Sequence, residues 1–200
     1  MLDKQADNPQ ILNPDHQQAP SRCLVWSGYA VFIWSAAFGF LHLLWALGIG
    51  LSMLKPSALE ISQFEVANLV TAILLTLVGC LGLIFIYFRR RKSLSWLLLS
   101  IFLVGCSLST SHGIYGIIHR ILQIVGVAEL ESGPFNPMEH AYVLWDLILI
   151  EPWFTIEGIL LAIIGWCYLG SARNRRTWLI LCIVGVIVGL ATGLLGVRIE

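Results

Sequence analysis

The stretch VANLVTAILLTLVGCLGLIFIYF, residues 66–88, decides the fold class of this chain. It contains no Asp, Glu, Lys or Arg. At about 1.5 Å per residue, a helix of this length crosses a hydrocarbon core of roughly 30 Å. The stretch therefore predicts a membrane-spanning helix.

Further apolar runs lie on both sides of this stretch, at residues 24–50, 94–118, 143–169 and 178–197. The chain of 200 residues is 58% hydrophobic and only 12% charged, which lies outside the usual composition of soluble domains. We therefore predict an all-α membrane protein, a five-transmembrane-helix bundle that forms a single domain over residues 23–200. The polar, proline-containing residues 1–22 are predicted to be a disordered tail.

The distribution of basic residues predicts the orientation of the bundle. Arg89–Lys92 follow the second run, and Arg173, Arg175 and Arg176 follow the fourth, so both clusters fall on the same side of a membrane. By the positive-inside rule that side is the cytoplasm. The amino terminus is then cytoplasmic, the carboxyl terminus lies outside, and the chain is a multi-pass protein of the plasma membrane. The formal net charge of zero gives no indication of a nucleic-acid partner.

Titratable residues inside the apolar runs are the main indication of function, because they are costly in lipid. His42 lies in the first run, His112 in the third, and Asp146, Glu151 and Glu157 in the fourth. Each histidine is about 18 residues, or roughly 27 Å, from the cytoplasmic edge. We expect both histidines to lie near the outer boundary, at a level similar to that of Asp146 and Glu151.

The carboxylates of the fourth run can be placed on a helical wheel. At 100° per residue, Asp146 and Glu157 fall within about 20° of each other, with Trp153 on the same side and Glu151 pointing away. Pro152 removes a backbone hydrogen bond and is expected to kink the helix. A kinked helix beside acidic side chains predicts a polar cavity that opens to the outer face.

Two aromatic residues accompany the histidines at helical spacing. Trp45 follows His42 by three positions, and Tyr115 follows His112 by three. Because residues three apart share a helix face, we include both aromatic residues among the candidates for a ligand or proton site. The sequence has no zinc-protease, nucleophile or P-loop motif, so we predict no catalytic residue, cofactor or metal. Metal or haem ligation by His42 and His112 remains a minor alternative.

Small residues and cysteines in the runs are interpreted as packing residues. Gly185, Gly189 and Gly193 recur every four positions in the fifth run, a spacing that lets helices approach closely. This stripe could pack on the chain's own bundle, which we favour, or on a second copy or another membrane partner. The five cysteines form no C-x-x-C pair and are expected to act as small hydrophobic residues.

Three segments resemble a family of small bacterial integral membrane proteins of unknown function. They are LHLLWALG at 41–48, HGIYGIIHR at 112–120 and WDLILIEPWF at 145–154. The resemblance implies a helical membrane protein of a bacterial plasma membrane, and it implies no activity. Glu151 stands where the family's pattern leads us to expect aspartate. The resemblance also implies that the following residues belong to the family's pattern: His42, Trp45, Asp146, Pro152 and Trp153.

Three classes of function fit these observations. The first is a protein that binds or transports a small ligand or protons through the outer-facing cavity, and with only five spans it would act as a dimer. The second is a structural or accessory membrane subunit whose polar residues only hold the helices together. The third is an intramembrane enzyme that uses a histidine and a carboxylate on a lipid-soluble substrate. Because no nucleophile motif supports the third class, we favour a non-enzymatic role.

Overall fold

All regular structure in the described part of the chain is helical. The computed structural model describes residues 21–49, 58–127 and 140–194, and for 58–62 and 140–142 it describes the backbone alone. The predicted tail, residues 1–22, lies almost entirely outside the described residues. The helices are α1 (Arg22–Ala46), α2 (Ala58–Phe88), α3 (Lys92–Ile124), α4 (His140–Trp145), α5 (Glu151–Tyr168) and α6 (Ala172–Leu194), with a π-helical turn at Asp146–Ile150.

The predicted fold class is confirmed, because the described residues contain five helical segments that are long and apolar enough to cross a membrane. The fourth segment, Val143–Tyr168, runs through α4, the π turn and α5. α1 ends earlier than the first apolar run, since the chain turns at residues 47–49 and Gly48 adopts a φ of 75°. α3 extends six residues beyond the predicted 118, and at 33 residues it is about 50 Å long, more than a bilayer core requires.

The fourth membrane segment carries three carboxylates, Asp146 in the π turn and Glu151 and Glu157 in α5, and it lies in the middle of the bundle. α5 packs against α1 on one side and against α3 on the other. α2 completes the first side by packing on α1, and α6 completes the second by packing on α3. Two helix pairs therefore flank α5, and its polar side chains face protein rather than lipid.

Apolar side chains both fill the core and cover the outside. Phe85 and Phe102 are fully buried and meet edge to face, with ring centroids 5.3 Å apart, while Leu161 and Ile164 of α5 belong to the same core. Large apolar residues of the outer helices α2 and α6 are exposed, as Leu77 and Ile187 illustrate. An apolar exterior of this extent is what a lipid-facing surface requires.

A disulfide joins the start of α1 to the end of α5. Cys23 and Cys167 are bonded across a sequence separation of 144 residues, so the expectation that every cysteine acts as a small hydrophobic residue is wrong for this pair. The sequence does not reveal the pairing, because the partners meet only when α1 packs antiparallel to α5. The other cysteines, Cys80, Cys106 and Cys182, are free thiols.

Candidate functional site

Three buried carboxylates on the fourth membrane segment form the centre of the candidate site. The exposed fraction is 5% for Asp146, 6% for Glu151 and 2% for Glu157. Burial of this degree is rare for acidic residues and requires partners or neutralisation. The neighbours of each carboxylate therefore determine what the site can do.

The π turn decides which neighbour each carboxylate meets. The backbone N–H of Glu151 donates to the carbonyl oxygen of Asp146, five residues earlier, instead of the usual four. In a straight α-helix, residues five apart differ in direction by about 140°, whereas the wider turn brings Asp146 and Glu151 to the same side. The prediction that Glu151 points away from Asp146 is therefore wrong. The π turn ends at Ile150, two residues before Pro152, where the sequence predicts a kink.

Asp146 is bound to a residue that the sequence analysis left out of the site. Arg120 of α3 donates through Nε to Asp146 Oδ2 at 2.5 Å and through Nη1 to Gln123 Oε1 at 2.8 Å. Arg120 lies two residues beyond 118, the predicted end of the third span, so the apolar run does not include it. The sequence indicates its role only by its position, since Arg120 lies within one helical turn of the end of the third apolar run.

Glu151 faces α3 next to a histidine. Its Oε2 lies 3.9 Å from His112 Nε2, and the His112 side chain is 61% exposed. Glu151 Oε2 has no hydrogen-bond partner among the described residues. A Cβ atom at Gly116 would overlap the Glu151 carboxyl group, so the glycine makes room for the acid. The rings of Phe154 and His112 meet edge to face, with 4.8 Å between their centroids.

Glu157 faces α1 instead of α3. Ser35 donates its hydroxyl to Glu157 Oε1 at 2.8 Å, while Glu157 Oε2 has no hydrogen-bond partner within the described ranges. Asp146 and Glu157 therefore have different neighbours, although the helical wheel placed them on the same side. The π turn explains this difference as well, because it changes the phase of the helix between them.

A stack of aromatic rings lies one helical turn from Glu157 and packs in the contact between α1 and α5. Trp153 stacks on Trp34 at 4.2 Å and on Phe38 at 5.0 Å between ring centroids. The indole N–H of Trp34 also donates to the backbone carbonyl of Trp153 at 3.2 Å. The candidate Trp153 is therefore packed between two rings of α1.

His42 pairs with an amide rather than with a carboxylate. Its Nδ1 donates to Asn68 Oδ1 of α2 at 2.7 Å, and its ring lies edge to face with Trp45 at 5.0 Å and with Phe38 at 4.7 Å. The buried His42 Nε2 finds no hydrogen-bond partner in the described part of the chain. Asn68 was missed, although an asparagine inside an otherwise apolar run is itself a polar signal.

The glycine stripe of α6 lies against α3 of the same chain. A Cβ atom at Gly185 would meet Ser107, and one at Gly189 would meet Ser111. Gly193 faces the ring of Tyr115, which in turn stacks on His119 at 5.9 Å between centroids. Tyr115 thus contacts α6, while His112 lies towards α5.

The chemistry available at the site is that of carboxylates, a histidine and an arginine. Within residues 21–49, 58–127 and 140–194, no three His, Cys, Asp or Glu side chains are grouped as metal ligands would be. No family model matches this chain, and no curated protein or solved structure shows significant similarity to it. The resemblance to a bacterial family therefore stays a prediction from three short segments.

Proposed function

We propose that this chain is a multi-pass protein of a bacterial cell membrane that binds or transports protons or a small ligand at a polar site on α5. The proposal rests on the burial and the incomplete hydrogen bonding of Glu151 and Glu157. Each is more than nine-tenths buried, and each has one carboxyl oxygen without a hydrogen-bond partner among the described residues. A structural carboxylate would be expected to have both oxygens satisfied.

The depth of Glu157 adds to this argument. Glu157 lies 11 residues before Tyr168, the end of α5, which is about 17 Å along the helix and close to the middle of a bilayer core of roughly 30 Å. A charged group there is costly, and a bound proton or a ligand with a hydrogen-bond donor removes that cost. The Ser35 hydroxyl satisfies only one of the two oxygens.

Glu151 has the surroundings of a group that exchanges protons with the surface. It is buried, and its neighbour His112 is largely exposed. Histidine gains and loses a proton near neutral pH and is suited to act as a relay. We propose that His112 passes protons, or presents a polar ligand, to Glu151 from the outer side.

The orientation in this proposal follows from the basic residues. The starts of α1, α3 and α6 and the α2–α3 turn lie at one end of the bundle, and these positions carry Arg22, Arg89–Lys92 and Arg173–Arg176. The positive-inside rule supports a cytoplasmic position for this end. The carboxyl terminus then lies outside, and His112 lies in the outer part of α3.

A role as an accessory subunit is the second candidate, and the aromatic stack favours it. Trp34, Trp153 and Phe38 fill the α1–α5 contact with rings that touch one another. Polar groups in such a contact could serve only to hold the helices in register. Another membrane protein would then supply the activity.

Proton exchange at the two glutamates can be tested without knowledge of a ligand. Infrared spectra of the protein in liposomes, recorded against pH, should show a protonated carboxyl band whose components are lost in Glu151→Gln and in Glu157→Gln. A pH-sensitive dye inside the liposomes measures proton flux, which should fall at least tenfold in either variant. Glu65→Gln, a carboxylate on α2 rather than on the fourth membrane segment, is the matched control. Unchanged flux and unchanged spectra in both site variants would overturn the proposal in favour of the accessory role.

A further inference from the structure

We propose that the Cys23–Cys167 disulfide is a reversible redox clamp between α1 and α5. The bond joins the two helices that also contain the Ser35–Glu157 hydrogen bond and the Trp34–Trp153 stack. This inference rests on the proposed orientation, and it does not require Glu157 to carry protons.

The position of the bond at the basic end of the bundle is the first observation. Cys23 follows Arg22, and Cys167 precedes the turn that leads to Arg173 and Arg175. If this end faces the cytoplasm, as its charges predict, the bond lies in a reducing compartment. Disulfides in that compartment are usually transient and belong to catalytic or redox-sensing pairs. A permanent structural bond would be expected on the opposite face.

The exposure of the two cysteine residues is the second observation. Cys23 is an exposed residue at the first turn of α1, so a partner protein can reach it. Cys167 is 6% exposed and belongs to the apolar core together with Leu169 and Trp178. One side of the bond is therefore accessible and the other is protected, which suits attack at Cys23.

The chemistry is thiol–disulfide exchange with a dithiol protein of the thioredoxin type. One thiolate of that partner attacks Cys23 Sγ, the Cys23–Cys167 bond breaks, and Cys167 leaves as a thiolate that takes up a proton. The partner's second thiolate then attacks the mixed disulfide, releases Cys23 and leaves the partner oxidised. The oxidised form of the same partner restores the bond by the reverse sequence.

The clamp limits how far α1 and α5 can separate at the basic end. Cys23 lies 12 residues before Ser35, which is about 18 Å along α1, so the bond and the Glu157 contact restrain the same helix pair at two levels. With the bond broken, only non-covalent contacts hold the pair. Reduction therefore loosens the interface in which Glu157 is buried.

The redox state can be followed in the wild-type chain by alkylation of cells and mass spectrometry of the cysteine peptides. We expect Cys23 and Cys167 to be mostly reduced in unstressed cells and bonded after treatment with the thiol oxidant diamide, while Cys80, Cys106 and Cys182 stay reduced. In proteoliposomes, the bonded form should unfold at a clearly higher temperature than the reduced form. Cys23→Ser and Cys167→Ser should both unfold at the temperature of the reduced form, with or without a reductant in the buffer.

Two results would overturn the clamp. The first is a pair that stays bonded in unstressed cells and opens only when a membrane-impermeant phosphine is added outside, which would identify a permanent bond on the outer face. The second is equal stability of the bonded and reduced forms. The orientation can be tested separately with a membrane-impermeant maleimide and a variant that carries both Arg173→Cys and Cys23→Ser. Labelling of position 173 from outside the cell would place the basic end outside. Glu157→Gln should leave the redox response intact, so failure of the proton site is distinguishable from failure of the clamp.

Discussion

The fourth membrane segment has two interfaces, and they stabilise buried carboxylates in different ways. Towards α1, large rings fill the contact and Glu157 receives one hydroxyl group from Ser35. Towards α3, glycines allow the helix backbones to approach closely, and Asp146 forms an ion pair with Arg120. The first interface depends on apolar area and the second on close approach and charge. The two should therefore respond differently to the same kind of substitution.

The largest effect is expected from removal of the arginine on the α3 side. Arg120→Met leaves Asp146 buried without its cation, which costs about 3–5 kcal/mol when one partner of a buried pair is removed. The unfolding free energy in mixed micelles measures the loss. Adding Asp146→Asn to Arg120→Met should recover a large part of it, and Arg173→Met at an exposed position is the control. If the double variant is no more stable than the single one, the charge pair does not carry the effect.

The next effect concerns the close approach of α3 and α5. A Cβ atom at position 113 would lie 2.5 Å from the carbonyl oxygen of Glu151 and 2.7 Å from the backbone nitrogen of Thr155. Because neither backbone atom can move alone, we expect Gly113→Ala to lower the unfolding free energy by about 3 kcal/mol, at the upper end of overpacking costs. Gly170→Ala, where a Cβ atom meets nothing within 4 Å, should be nearly neutral. Equal stability of the two variants would contradict the described packing.

On the α1 side, the aromatic stack should matter more than any polar contact. Trp153→Leu removes the ring between Trp34 and Phe38, and we expect a loss of about 2 kcal/mol from reduced burial and lost ring contact. Trp145→Leu, at a half-exposed position on the same segment, is the control and should lose much less. Denaturant titration followed by circular dichroism compares the two. A larger loss in the control would show that the stack is not the main contact of this interface.

The smallest effect is expected at the hydroxyl group. Ser35→Ala removes the donor to Glu157 Oε1, and a single hydrogen bond of this kind contributes about 1 kcal/mol. Ser100→Ala is a matched control, because its exposed hydroxyl donates only to a carbonyl of its own helix. The same titration resolves the difference. A loss as large as that of Arg120→Met would mean that the α1 side, too, depends on charge.

The fold class could be predicted from the sequence because long apolar runs have few alternatives to membrane helices. The ends of the helices were less predictable. α3 continues through His119 and Arg120 to Ile124, since Ile121 and Leu122 maintain its apolar character. α6 begins at Ala172, six residues before the predicted span, in an arginine-rich segment that need not lie in lipid.

The site could be predicted only in part. Burial of Asp146, Glu151 and Glu157 follows from their position in an apolar run, but their directions do not. A π turn has no recognisable pattern in a single sequence, and it invalidates a wheel drawn at a constant angle. Asn68 and Arg120, the partners of His42 and Asp146, lie on other helices, so their pairing depends on packing that no local pattern encodes.

The π turn also makes the two carboxylate environments independent of each other. Such a turn is equivalent to one residue inserted into an α-helix. Deletion of Leu149 would restore an uninterrupted helix, rotate the outer segment by about 100° and draw it inwards by about 1.5 Å. Asp146 would then lose Arg120, while Glu157 would keep Ser35. Deletion of one residue, which keeps all the side chains of the site, would therefore change the surroundings of Asp146 and leave those of Glu157 unchanged.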